Sequence, residues 1–76
     1  MKKLTDCAAG STVTVVKNNA AGPLKQRLVS FGIMKGAHLS ILAYSTTKST
    51  VEIKVGKMQL ALRSDEAGLI EVEQCS

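Results

Sequence analysis

Residues 50 to 63 have the sequence TVEIKVGKMQLALR, and this stretch decides the fold. Apolar side chains stand at every second position within each half of it: Val51, Ile53, Val55, then Met58, Leu60 and Leu62. This period of two predicts two strands that each have one buried and one exposed face. Gly56-Lys57 between them has the Gly-X order of a two-residue type II′ turn. The stretch therefore predicts an antiparallel hairpin.

The same alternation occurs in three other segments of the chain. They are residues 12 to 17 with Val13 and Val15 on the inner face, residues 38 to 43 with Leu39, Ile41 and Ala43, and residues 69 to 73 with Ile70 and Val72. Aliphatic and β-branched side chains along one face are typical of a half-buried sheet. We therefore expect five short strands in all.

Between the first two strands the hydrophobic period changes to that of a helix. Leu24, Leu28 and Phe31 fall at i, i+4 and i+7, on one helical face. Pro23 suits the first turn of a helix, and Gly32 suits a left-handed C-terminal cap. The segment predicts a helix of about ten residues, too short to be stable unless its apolar face packs on the sheet.

Before the last strand, Ser64-Asp65-Glu66-Ala67-Gly68 combines a capping hydroxyl, two acidic residues and a final glycine. These features predict a single 3-10 turn. The helix dipole explains both carboxylates, so they do not indicate a catalytic pair.

Five short strands in an open sheet would leave exposed edges and a bare apolar face, which favours closure into a barrel. One helix between strands 1 and 2 and a 3-10 turn before strand 5 give the order of a mainly β, SH3-like barrel. The 76 residues, 45% of them hydrophobic, fit a single domain spanning residues 1–76. Its core must be aliphatic, because Phe31 and Tyr44 are the only aromatic residues.

Charge and cysteine content narrow the class of protein. The net charge of +4 favours acidic or phosphate-bearing partners, but the lysines are scattered, as on an ordinary solvated surface. Cys7 and Cys75 are too few for a disulfide scaffold, and no apolar stretch follows Met1 as a signal peptide requires. The longest apolar run, residues 41 to 44, is too short to span a membrane. We expect a soluble, cytoplasmic protein with reduced thiols.

The sequence favours binding over catalysis. It contains no G-x-S-x-G or P-loop motif and no histidine near a candidate nucleophile. Its single histidine, His38, is expected on an outward face without neighbouring metal ligands, and Cys7 and Cys75 lack C-x-x-C spacing. We expect no enzyme activity, no cofactor and no metal site.

Short motifs spread over nearly the whole chain are similar to those of one known family. They are Leu4 and Gly10 before the first strand, Arg27-Leu28, Phe31-Gly32-Ile33, Gly36, Leu60-Ala61-Leu62-Arg63, Ala67 and Ile70-Glu71-Val72. In this order and spacing they resemble the FeoA family, small cytosolic SH3-like proteins of bacterial ferrous-iron uptake. The resemblance implies an accessory or regulatory role beside FeoB, the membrane ferrous-iron transporter with a cytosolic GTP-binding domain. It also implies a barrel like the C-terminal domain of iron-dependent metalloregulators.

The helix and the turn after it form the candidate surface for that partner. The apolar face of the helix is committed to the barrel, which leaves Lys25 and Arg27 to project outward, and Ile33-Met34 is an apolar pair in a glycine-flanked turn. The predicted docking residues are Leu24, Lys25, Arg27, Ile33, Met34 and Lys35. Two alternatives stay open: Lys25 and Arg27 are ordinary solvated residues of the helix, and Ile33 and Met34 cap the core.

A small basic barrel that binds RNA or DNA is the alternative function. Two aromatic residues offer little platform for base stacking, which disfavours it. Recognition of Pro-rich peptides needs an aromatic-lined groove, and Phe31 is expected in the core, which leaves Tyr44 alone. The sequence therefore favours a protein partner over nucleic acid.

Overall fold

The computed structural model describes residues 2–74, and its architecture is mainly β, as predicted. The elements are β1 (Lys2–Lys3), a 3-10 turn (Leu4–Asp6), β2 (Thr12–Asn18), α1 (Gly22–Ser30), β3 (His38–Tyr44), β4 (Thr50–Val55), β5 (Met58–Arg63), α2 (Ser64–Ala67) and β6 (Ile70–Gln74). The strands form one antiparallel sheet in the order β1-β6-β2-β3-β4-β5 around an aliphatic core. No helix within the described range has both the length and the apolar character needed to cross a membrane.

The sheet has one strand more than the five that the sequence predicted. β1 pairs antiparallel with β6, with Lys2 opposite Val72 and Lys3 opposite Glu71. A strand of two residues is too short to show an alternation of its own, so periodicity could not reveal it.

The segment predicted as a 3-10 turn is a four-residue α-helix, α2. The N–H of Gly68 donates to the carbonyl of Ser64 at 2.9 Å, which is the i to i−4 bond of an α-helix. At the start of α2, the N–H of Arg63 donates to the Glu66 carboxylate at 3.1 Å. The helix is thus capped by a carboxylate of its own first turn, not by the predicted hydroxyl.

The β4–β5 hairpin has the predicted two-residue turn. Val55 pairs with Met58, and Gly56 has a φ of 60°, the positive φ that a type II′ turn requires at its first central position. The inner face of β5 is less regular than predicted. Leu62 is buried and Leu60 half-buried, but Met58 is 43% exposed because it lies at the hairpin end of a strand that has only one neighbour.

A β-bulge in β3 changes which of its residues face the core. Ile41 and Ala43 pair with consecutive residues of β4, so Leu42 is an extra residue. One extra residue reverses the alternation of the rest of the strand. Ala43, predicted inward, is therefore exposed, and Tyr44 packs half-buried against the core instead.

Helix α1 ends in the predicted left-handed cap at Gly32, and this cap closes one end of the core. Gly32, with a φ of 92°, donates its N–H to the Val29 carbonyl at 2.9 Å, and Ile33 donates to the Leu28 carbonyl at 3.0 Å. This pair of bonds is a Schellman motif, which brings the residue after the glycine back onto the last turn of the helix. Leu28 and Ile33 are both completely buried.

Two adjacent residues of α1 give a direct test of this packing. Leu28→Ala should lower the free energy of unfolding by about 2–5 kcal/mol, because it leaves a cavity in the core. Val29→Ala should change it by less than about 0.5 kcal/mol, because that side chain is at the surface. Urea denaturation of both variants measures the difference, and equal losses would contradict the packing described for α1.

Candidate partner-binding surface

Five of the six predicted docking residues lie at the surface or next to it. Lys25, Arg27 and Lys35 are exposed, Met34 is 44% exposed and Leu24 is half-buried. They lie on α1 and on the turn that follows it. The exposed residues of the helix and its turn therefore lie on both sides of a buried segment of the chain.

Ile33 does not belong to this surface. Its side chain is completely buried, because the Schellman motif folds it onto Leu28. The sequence left open that Ile33 and Met34 both cap the core, and the structure separates the two residues. Ile33 is core, and Met34 is surface.

Arg27 is partly engaged within the protein. Its guanidinium lies 3.5 Å from the Glu66 carboxylate and 5.8 Å from the centre of the Phe31 ring. The first contact joins α1 to α2, and the second is a cation–π contact. Because the Arg27 side chain is 53% exposed, solvent weakens the ion pair, which contributes little stability. The contacts place the guanidinium between Phe31 and α2.

A groove of about 310 Å³ lies between β2, α1 and the turn after α1. We call it the basic groove, and its lining residues are Val16, Lys17, Asn18, Lys25, Val29, Met34 and Lys35. Three of these, Lys25, Met34 and Lys35, are among the predicted docking residues, and the other four are not. Residues 16 to 18 were recognised only as the end of a strand, because their proximity to α1 arises from tertiary structure. Val29 lies outside the apolar stripe of Leu24, Leu28 and Phe31, so the sequence could have indicated that it is an exposed apolar residue.

Lysines supply all the charge of the basic groove. Lys17, Lys25 and Lys35 form no ion pair with any residue of the described chain, and no carboxylate lines the groove. Asn18 accepts a hydrogen bond from the N–H of Ala20 at 3.0 Å, but its buried Nδ2 has no hydrogen-bond partner among residues 2–74. A buried donor without an acceptor is unfavourable. The groove therefore carries positive charge that no ion pair of the described chain neutralises, and the unpartnered Asn18 donor lies buried beside it.

The other candidate residues of the sequence lie elsewhere. His38 is exposed at the start of β3, and its Nδ1 lies 3.1 Å from the Thr14 hydroxyl. Within the described part of the chain, no three His, Cys, Asp or Glu side chains are grouped as they would be around a metal ion. Cys7 is buried, and the prediction for Cys75 concerns a residue outside the described range.

Tyr44 anchors the N-terminal segment to the sheet. Its hydroxyl donates to the carbonyl of Cys7, with the carbonyl of Leu4 at 3.5 Å. Burial raises the pKa of Tyr44 above its ordinary value of 10.0, and the neighbouring Cys7 and Asp6 raise it further. Burial also raises the pKa of the Cys7 thiol above 9.0, which leaves it protonated and weakly nucleophilic at neutral pH.

A second cleft, of about 480 Å³, lies beside Tyr44 and the N-terminal segment. Asp6 and Lys48 both line it, so its charge is mixed, and none of the predicted docking residues contributes to it. The basic groove, which has charge of one sign and three predicted residues, is therefore the better candidate for partner binding.

Comparison with known proteins identifies close relatives. The family model described as the FeoA domain matches residues 2–74. A protein of Helicobacter pylori described as Fe(2+) transport protein A is 39% identical over 56 residues, which are 74% of this chain and 74% of that protein. A protein of Campylobacter jejuni with the same description is 36% identical over 69 residues, 91% of this chain and 93% of that protein. These similarities extend over most of the proteins compared.

Solved structures have the same fold. Iron(II) transport protein A from Clostridium thermocellum superposes with a TM-score of 0.90 at 29% identity over 96% of this chain, which spans only 45% of that one. Zinc-complexed FeoA of Stenotrophomonas maltophilia, described as an SH3 domain protein, gives a TM-score of 0.83 at 21% identity, covering 96% of this chain and 91% of that one. The predicted SH3-like fold is thereby confirmed.

A metal-dependent regulator shares this fold, in line with what the family resemblance implied. A manganese-dependent transcriptional repressor superposes with a TM-score of 0.86 at 26% identity. The match covers 96% of this chain and 40% of the repressor, so the likeness concerns one part of the larger protein.

The raised pKa of Tyr44 predicts a pH-dependent stability. A phenol whose pKa is higher in the folded than in the unfolded state stabilises the fold below pH 10.0, its ordinary pKa, and this contribution is lost as the pH rises through the folded pKa. Tyr44→Phe should cost about 1 kcal/mol near pH 8 through the lost hydrogen bond, and less above pH 10. Urea denaturation of both proteins at several pH values measures this gap. A gap that stays constant from pH 8 to 11 would contradict the role given to the hydroxyl.

Proposed function

The chain belongs to the FeoA family, and we propose that it is an accessory binding protein of bacterial ferrous-iron uptake that docks on the cytosolic part of the FeoB transporter. Proteins of this family take part in ferrous-iron transport. In the proposal, iron is the cargo of the transporter, and this chain contributes a binding surface. Its proposed place is the cytoplasm, at the inner face of the membrane while bound to the transporter.

The exposed side of α1 and its following turn is the observation that carries this proposal. Lys25 and Lys35 bear charges that no described residue neutralises, and Met34 leaves 44% of its surface in contact with solvent. Exposed methionines are enriched at sites that bind other proteins, and charges without an internal partner steer an oppositely charged partner towards the surface.

The scaffold beneath this surface supports binding to a preformed site. Leu28 and Ile33 fix the helix end from inside, and the Schellman bonds fix the turn. A partner that docks on such a surface orders few new degrees of freedom, so more of the contact energy remains as affinity.

Binding rather than catalysis is the proposed mode of action. The Cys7 thiol is buried with a raised pKa, which makes it a poor nucleophile. The Glu66 carboxylate is occupied by the Arg63 N–H and by Arg27, so it has a structural role in capping α2 and orienting α1.

Deletion and direct binding test the proposal. Loss of this protein should slow ferrous-iron uptake into cells, and the purified protein should bind the cytosolic part of the transporter in calorimetry. The double substitution Lys25→Glu and Lys35→Glu should weaken that complex at least about tenfold, because it reverses the charge of the surface. Lys54→Glu with Lys57→Glu, on the β4–β5 hairpin, is the matched control and should bind normally. Unchanged uptake after deletion, together with no complex, would refute the proposal.

A further inference from the structure

The basic groove lies beside the last residues of β2, beyond the point where that strand is paired on its β3 side. β2 pairs with β3 through residues 12 to 14, and Val15 continues this pairing through backbone hydrogen bonds of 2.8 Å with Gly36 and Ala37, whereas the pairing with β6 runs from Val13 to Asn18. On its other side, the pairing of β2 with β6 contains a β-bulge between Val15 and Lys17. Beyond that point, one side of residues 16 to 18 has no strand beside it, and the groove against α1 lies there.

The charge of the groove calls for an acidic occupant. Lys17, Lys25 and Lys35 come from three separate parts of the chain, β2, α1 and the following turn, and meet around one concavity. Glu71, which is in register with Lys17 on β6, accepts a hydrogen bond from Asn19 at 2.7 Å and forms no ion pair with a lysine of the described chain. The mutual repulsion of three like charges is therefore not offset by any carboxylate in the groove.

The apolar part of the groove calls for an aliphatic anchor. Val29 is 39% exposed and Met34 44% exposed, and half-buried Val16 lies in the opposite wall. Val29 and Met34 are two of only four large hydrophobic residues that reach such exposure in the described chain. No aromatic side chain lines the groove, so it offers van der Waals contact to a flexible side chain and no stacking platform.

We propose that the basic groove binds a segment of a protein partner in which an aliphatic side chain is flanked by carboxylates. The aliphatic side chain enters between Val16, Val29 and Met34, and the flanking carboxylates pair with the lysines at the rim. The inference rests on the proposed docking function, and it adds the strand wall of the site and the chemistry of the segment that the site recognises. An anionic membrane surface is a poorer match, because the apolar residues line a concavity instead of projecting from the protein.

A peptide titration tests the chemistry without the transporter. The probe is a short synthetic peptide with two central leucines and aspartates and glutamates on both sides, followed through the backbone amide resonances of the isotope-labelled protein. Residues 16 to 18, Val29, Met34 and Lys35 should shift, and binding should weaken as salt is added. A peptide with lysines in place of the acids, and one with serines in place of the leucines, should each cause less than a tenth of the shift.

Variants with matched controls test the location. Lys17→Glu and Met34→Gln should each weaken peptide binding at least about fivefold. Lys54→Glu is the control for charge, and Met58→Gln is the control for loss of an equally exposed methionine, since Met58 is 43% exposed. Both controls should bind within about twofold of the unchanged protein. Thermal unfolding of each variant confirms that it is folded.

The outcomes separate this inference from the proposed function. If the transporter complex forms but is as sensitive to Lys54→Glu as to Lys17→Glu, docking stands and the groove is overturned as its site. If no transporter complex forms but the acidic peptide binds with the expected variant pattern, docking on that transporter fails and the groove chemistry stands. Shifts confined to other residues, equal binding of the basic peptide, or preferential binding to phosphatidylglycerol vesicles would overturn the inference.

Discussion

The burial of Leu28 and Ile33 in one core is the constraint on which the exposed surface of α1 and its turn depends. Helix α1 has nine residues, and only Leu28 among them is buried. The Schellman cap at Gly32 reverses the chain so that Ile33 joins Leu28 in the core, and Met34 and Lys35 then emerge at the surface. Leu24 and Phe31 pack half-buried against the same core, so this buried side of the helix and its cap determines which side chains face solvent.

The two β-bulges give the small sheet its shape and its openings. In β3 the extra residue turns Tyr44 inward, and its hydroxyl then holds the N-terminal segment through the carbonyl of Cys7. In β2 the irregularity in the pairing with β6 lies at Val16, the first of the three β2 residues that line the basic groove. Each bulge interrupts the regular pairing of its strand, and each lies beside a cleft.

Periodicity predicted most of the fold because most of the strands alternate cleanly. The limits of β4 and β5 match the prediction, and the Gly56 turn has the backbone that its sequence requires. The bulge in β3 defeated the same reasoning at Ala43, because an extra residue leaves no mark in the local pattern. Ile33 could have been assigned to the core, since a Schellman cap commonly buries the residue after its glycine. The strand wall of the basic groove could not have been predicted from the sequence, because residues 16 to 18 approach α1 only in the folded chain.

The scarcity of aromatic side chains bears on the kind of partner that the groove can take. Phe31 is half-buried beneath the Arg27 guanidinium, and the hydroxyl of Tyr44 is bonded to the N-terminal segment, so both are engaged within the protein. Proteins that bind single-stranded nucleic acid stack its bases on exposed aromatic rings. Proteins that bind Pro-rich peptides use exposed aromatic rings to form the walls of a groove. The groove instead offers aliphatic and thioether surface ringed by ammonium groups. Such a surface distinguishes partners by where carboxylates stand around an aliphatic side chain, which makes a protein segment the ligand that its chemistry best fits.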